Sequence, residues 1–134
     1  MTFEQIRDVI IGRMEDWTSI PASDIDYPND SEPFDPAGKD IWARLSNIPG
    51  VSSAPEIGNG PCVMRSGIIV IQLFVPTHGG TKLIIQKADT LREHFEFYTD
   101  PQHPFDCFAV SMTVPGDDGK GWYQVNLTIP YRAH

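Results

Sequence analysis

A chain of 134 residues with a net charge of −8 and 40% hydrophobic content is long enough for one domain with its own core, and residues 1–134 read as a single domain. Ten Lys and Arg against 18 Asp and Glu exclude the phosphate-neutralising surface of a nucleic-acid binder, and the same acidity repels anionic lipid. The opening residues Met1-Thr2-Phe3-Glu4-Gln5 lack the basic and apolar stretches of a signal peptide. The longest apolar run, Ile68 to Val75, is broken by Gln72 and too short to cross a bilayer as a helix. Cys62 and Cys107 belong to no CxxC pair and read as two reduced thiols of a cytoplasmic protein.

In chain order, Thr2 is a helix N-cap and Gln5, three residues on, completes a capping box. Phe3, Ile6, Val9, Ile10, Met14 and Trp17 form a stripe at helical period, predicting a helix that ends near Ser19. Ile20 to Gly38 carries four prolines and five acids and reads as a loop, with a short extended piece at Ile25-Asp26-Tyr27 before Pro28. Asp40 to Ile48 alternates as a strand, with Ile41, Ala43 and Leu45 on one face and Trp42, Arg44 and Ser46 on the other. Pro49 to Pro61 reads as a second loop, with Pro49-Gly50 and Asn59-Gly60 as turn signals.

Cys62 to Val75 predicts a long strand. Ile69, Ile71, Leu73 and Val75 line one face; Ile68, Val70 and Phe74 make the other nearly as apolar, which implies a central strand or a face that meets another subunit. After the turn His78-Gly79-Gly80, Thr81 caps a second helix with the stripe Ile84, Ala88, Leu91 and Phe95. Pro101 and Pro104 close off the segment after this helix. The last third predicts a hairpin. Its first strand sets Phe108, Val110, Met112 and Val114 against Cys107, Ala109, Ser111 and Thr113. Its return strand sets Tyr123, Val125, Leu127, Ile129 and Tyr131 against Trp122, Gln124, Asn126 and Thr128. The fold class is α+β: a mainly antiparallel sheet of about four to five strands with two helices on one face.

Candidate chemistry is sparse. His78-Gly79-Gly80-Thr81-Lys82 lacks the upstream glycine of a phosphate loop and reads as a glycine turn before a helix. The acids between Asp24 and Asp35 lack the ligand spacing of an EF-hand, since Pro28 takes the third ligand position; they read as a solvated loop, with a cation site shared between subunits left open. His78, His94, His103 and His134 share no metal-ligand spacing and read as surface or loop histidines. Cys107 near His103 suggests a thiol nucleophile, but its acidic surroundings oppose a thiolate. Glu93 and Glu96 read as solvent-facing acids of the second helix. No residue points to a cofactor, a metal or catalysis. Trp122 reads as either core or interface.

The ordered segments FEQIRDVIIGRMEDW, DIDYPND, IWARLSNIPG, EIGNG, RSGIIVIQLFVPTHGGTKLIIQKADTLREHF and GWYQVNLTIPYRAH resemble the tail terminator, or minor tail protein U-like, family of long-tailed phages. Gly67 to Phe97 and the closing QVNLTIPYRAH carry most of the likeness. The resemblance implies a non-enzymatic virion protein, assembled in the host cytoplasm, that forms a hexameric ring at the head-proximal end of the tail tube. It implies the tail tube protein, neck or connector proteins and further copies of the chain as partners, with DNA passing through but not bound specifically. Ile68, Val70, Phe74, Trp122 and Gln124 are candidate subunit-interface residues; Asp24, Asp26, Asp30 and His78 are candidate loop contacts. The alternatives are a head–tail joining protein of similar size and a small cytoplasmic enzyme using Cys107 or a carboxylate pair.

Overall fold

The Thr2 side chain accepts from the Gln5 amide while the Gln5 side chain accepts from the Thr2 amide, and this capping box opens helix α1, Phe3–Glu15. The computed structural model in which this is seen describes residues 1–53 and 63–134. Ile6, Val9, Ile10 and Met14 are buried along one side of α1. The helix stops four residues short of Ser19, and Trp17 enters the core from beyond its end. Phe3, at the head of the stripe, is 64% exposed because it overhangs the end of the sheet, where the Arg65 guanidinium stacks on its ring at 4.6 Å.

A 3-10 turn at Ala22–Asp24 leads into the two-residue strand β1, Ile25–Asp26. The long strands come next: β2, Trp42–Ser53, and β3, Met64–Pro76. Strand β2 runs on through Pro49-Gly50 to Ser53, where a loop was expected; a bulge between Pro49 and Ser52 absorbs the proline and pairing with β3 resumes. The Asn59-Gly60 turn, and Cys62 at the expected start of the long strand, lie outside the described residues. Helix α2 spans Lys82–Phe95 and buries Ile84, Ala88, Leu91 and Phe95, the expected stripe. Thr81 stands at its N-cap position, but its side chain makes no capping bond.

The expected hairpin strand is two strands. Strand β4, Phe105–Cys107, and strand β5, Ser111–Asp117, both lie antiparallel to β6, Trp122–Ala133, one after the other along the same side. The break at residues 108–110 shifts the pairing register by one, so Cys107 faces the core and Phe108 is turned outward. Glu96 holds the break: it comes directly after the last residue of α2, and its carboxylate accepts from the Val110 amide at 2.9 Å and pairs with Arg92. This corrects the expectation that Glu96 lies on the exposed side of the helix.

The six-stranded sheet has the order β1-β2-β3-β6, with β4 and β5 sharing the far side of β6. Only the β1–β2 pair is parallel among the described residues. Strands β3 and β6 pair without a break from Arg65–Ala133 to Pro76–Trp122. Ile69, Ile71 and Leu73 on β3 and Val125, Leu127 and Ile129 on β6 face the two helices in one core cluster. Both helices therefore cover the same face.

The helix layer is tied by side chain to backbone bonds. Arg13 donates to the His94 carbonyl at 2.5 and 3.1 Å, and His94 Nε2 lies 2.7 Å from the Arg13 carbonyl. Each side chain thus satisfies a carbonyl near the C-terminus of the other helix. Trp17 donates to Thr90 and Lys87 to the Ser19 carbonyl. His94 is thus a half-buried helix tie rather than the surface histidine expected. Among the described residues no helix is long and apolar enough to cross a membrane.

Candidate assembly surface

The sheet face opposite the helices has no second layer among the described residues. Strand alternation places its residues in cross-strand rows. Trp42, Phe74 and Gln124 make one row; Arg44, Gln72, Asn126 and Thr113 the next; then Ser46, Val70, Thr128 and Ser111; then Ile48, Ile68 and Pro130. The middle rows are polar and the two ends apolar.

One end is an aromatic cluster. Trp42 stacks on Phe74 with centroids 4.0 Å apart, Trp122 meets Trp42 edge-on at 5.8 Å, and Phe34 from the acidic loop covers Trp42 at 5.2 Å. Phe74 is only 4% exposed, so this candidate interface residue is already covered within its own chain. Trp122 is half-buried at the margin of the cluster. The buried Trp42 indole N–H has no partner among the described residues.

The other end is a groove of about 640 Å³ lined by Ile48, Met64, Ile68, Phe108, Pro130 and Arg132. It is almost wholly apolar, with the Arg132 guanidinium lying 5.4 Å from the Phe108 ring centre. Of the expected interface residues, the structure places Val70 in a polar row and Ile68 in the adjacent groove row, both half-buried, and Gln124 beside the aromatic end, bonded to Asn126 at 2.6 Å. Ile48 and Phe108 were missed as surface residues, because alternation assigns a side chain to a face without saying what covers that face.

The loop candidates divide. Asp24 is paired with Lys39 at 2.7 Å and Asp26 with Arg44 at 3.0 Å, so both are engaged inside the subunit. Asp30 is exposed and bonds the adjacent Ser31 amide. His78 is exposed at the turn after β3, with a positive φ of 67°.

The Cys107–His103 pair suggested by the sequence is not assembled. Cys107 is buried, and burial pushes its thiol up to about 12, with Arg13 opposing the shift and Asp106 adding to it. His103 is turned to Asp100 at 3.0 Å rather than to Cys107. Asp100 also accepts from Tyr98 and the Gln102 amide; burial works to raise its pKa, but these bonds outweigh burial and hold it low. This cluster satisfies its own polar groups and fixes the 98–103 loop under Arg13, whose guanidinium lies 4.0 Å from the Tyr98 ring centre. No group of three or more His, Cys, Asp or Glu among the described residues is placed to hold a metal.

A family model described as Phage tail terminator protein matches residues 5–131, from the first turn of α1 to the end of β6. The chain belongs to the phage tail terminator family. The family is structural, and its role is tail completion in the virion. A solved structure superposes with a TM-score of 0.71 at 16% identity, covering 100% of this terminator-family chain and 96% of that one. At that identity the likeness shows the fold alone. No curated protein matches the chain.

Proposed function

We propose that this chain caps the head-proximal end of the phage tail tube as a hexameric ring, ends tube polymerisation and presents the surface that the neck or connector proteins meet. The observation that carries this reading is the family match over residues 5–131. Two features support it. One face of the sheet is uncovered among the described residues, and it combines polar rows with an apolar groove rather than the uniform polarity of a free surface. The chain is also acidic, which withholds the phosphate contacts that would retain DNA passing through the hole. Ile68, Val70, Trp122 and Gln124 are proposed to lie at or near subunit contacts, and Asp30 and His78 to lie in loops that meet the tube or the neck.

The test is capping. Purified tube protein polymerised with a limiting amount of this chain should give short tubes, each carrying one ring at one end in negative stain. Unchanged tube length, with the chain monomeric by mass photometry, would overturn the reading. Binding only to the portal side would favour the head–tail joining alternative.

A further inference from the structure

We infer that the ring closes by antiparallel pairing of β5 of one subunit with β2 of the next, which rests on the ring reading above. Both strands have a bare edge. Residues 98–100 cover the outer side of β4, through a bridge from Thr99 to Asp106 and a 2.7 Å bond from the Cys107 amide to the Tyr98 carbonyl. The outer side of β5 has no such cover among the described residues. At the opposite end of the sheet, β1 pairs only with Ala43 and Arg44, leaving β2 unpaired on its outer side from Leu45 to Ser53 among the described residues.

Sequence marks the same two segments. In a chain with 28 charged residues, neither residues 45–53 nor residues 107–116 contain one. The other long uncharged stretches include the two central strands, β3 and β6. Free edges are ordinarily blunted by charge; these carry none, and each is interrupted only by a proline with a bulge, at Pro49 and at Pro115. Each also carries exposed apolar side chains: Ile48 at 50% and Val51 at 87% on β2, Met112 at 48% and Val114 at 49% on β5.

Direction and offset agree with closure. Alternating antiparallel pairs make β5 run opposite to β2, so copies related by rotation in a head-to-tail ring meet as antiparallel strands. Thr113 lies level with Arg44, and Ile48, on the same face and within the free stretch of β2, lies four residues or ~14 Å along the strand. Each subunit contributes four strands to the circuit, about 19 Å across at ~4.8 Å per strand. The resulting slope of about 35° falls at the lower end of the range of closed barrels. Six subunits then form a continuous barrel of backbone diameter on the order of 45 Å, helices outside and the polar rows within, which moves Val70 from a subunit contact to the lumen wall.

Two edge cysteines on the uncovered face, one at Ile48 and one at Ser111 or Thr113, test the pairing in the full chain with tube protein. Oxidation should give a ladder of covalent oligomers that needs both cysteines. Ile48→Lys combined with Thr113→Lys should weaken assembly at least tenfold without changing the monomer's melting temperature, and I48E with T113K should restore it. Rings that form with no cross-linked pair, and that tolerate the double lysine variant, overturn the edge pairing alone. A chain that stays monomeric with tube protein overturns the ring reading as well.

Discussion

At the scale of single residues, Gly67 and His94 show most about what holds the subunit. Gly67 sits opposite Tyr131, and a Cβ there would lie 2.6 Å from the phenol oxygen and 2.8 Å from the Ile48 carbonyl. The absent side chain lets the Tyr131 ring cross β3 and its hydroxyl donate to Asn47 at 2.8 Å on β2. Gly67→Ala should therefore cost about 1–3 kcal/mol in denaturant unfolding, the range for overpacking. Tyr131→Phe, which loses only the hydrogen bond, should cost about 1 kcal/mol.

His94 gives a pH dependence. Burial is the main cause lowering its pKa; the bond to the Arg13 carbonyl opposes it, the Arg13 charge lowers the pKa by less, and Asp16 raises it least. The folded state therefore binds this proton less readily than the unfolded state. Stability from this site is present above the unfolded value near 6.5 and is lost as pH falls through the folded value. Thermal melts between pH 7.5 and 5 should show this loss, and His94→Leu should flatten that part of the profile. The 3.6-residue stripes announced the helices, but nothing local announced that His94 bonds a carbonyl 81 residues away.

At the scale of elements, the boundary between β4 and β5 depends on Glu96. Its carboxylate anchors the Val110 amide across a sequence gap of 14 residues. Glu96→Ala should destabilise the fold by about 1.5 kcal/mol, the lower end for a charged hydrogen bond. Amide exchange should accelerate most at Val110. The same contact explains why alternation failed here. Val110, Met112 and Val114 read as an uninterrupted strand face with Phe108, but the anchored break changes phase between Cys107 and Ser111. Alternation succeeded for β3 and β6, whose inward residues are almost fully buried, because no side chain from elsewhere interrupts their pairing. It also identified both faces of β3 as apolar. Phe74 was nevertheless beyond its reach as an interface residue, since the ring that covers it belongs to Trp42 on the neighbouring strand.

For the whole molecule, one core cluster joins residues of both helices, all the long strands and β4. A single domain is the organisation this favours, and unfolding should be one cooperative transition whose circular dichroism and fluorescence curves coincide. Separate transitions for the helices and the sheet would contradict it. The family role was legible from the ordered segments and is carried by the match over residues 5–131. The assembly edges were not, because a bare edge is defined by which strands lie beside it, and local patterning does not contain that adjacency.

The distribution of the three tryptophans gives the subunit two optical reporters on opposite sides of one sheet. Trp17 lies in the helix layer, hydrogen-bonded to Thr90, whereas Trp42 and Trp122 form a coupled pair on the uncovered side. Ring closure should therefore change the near-ultraviolet circular dichroism of the Trp42–Trp122 pair while leaving Trp17 emission unchanged. A Trp17→Phe variant would retain the assembly signal in a chain whose helix layer is optically silent, so subunit folding and subunit association can be followed as two different colours of the same titration.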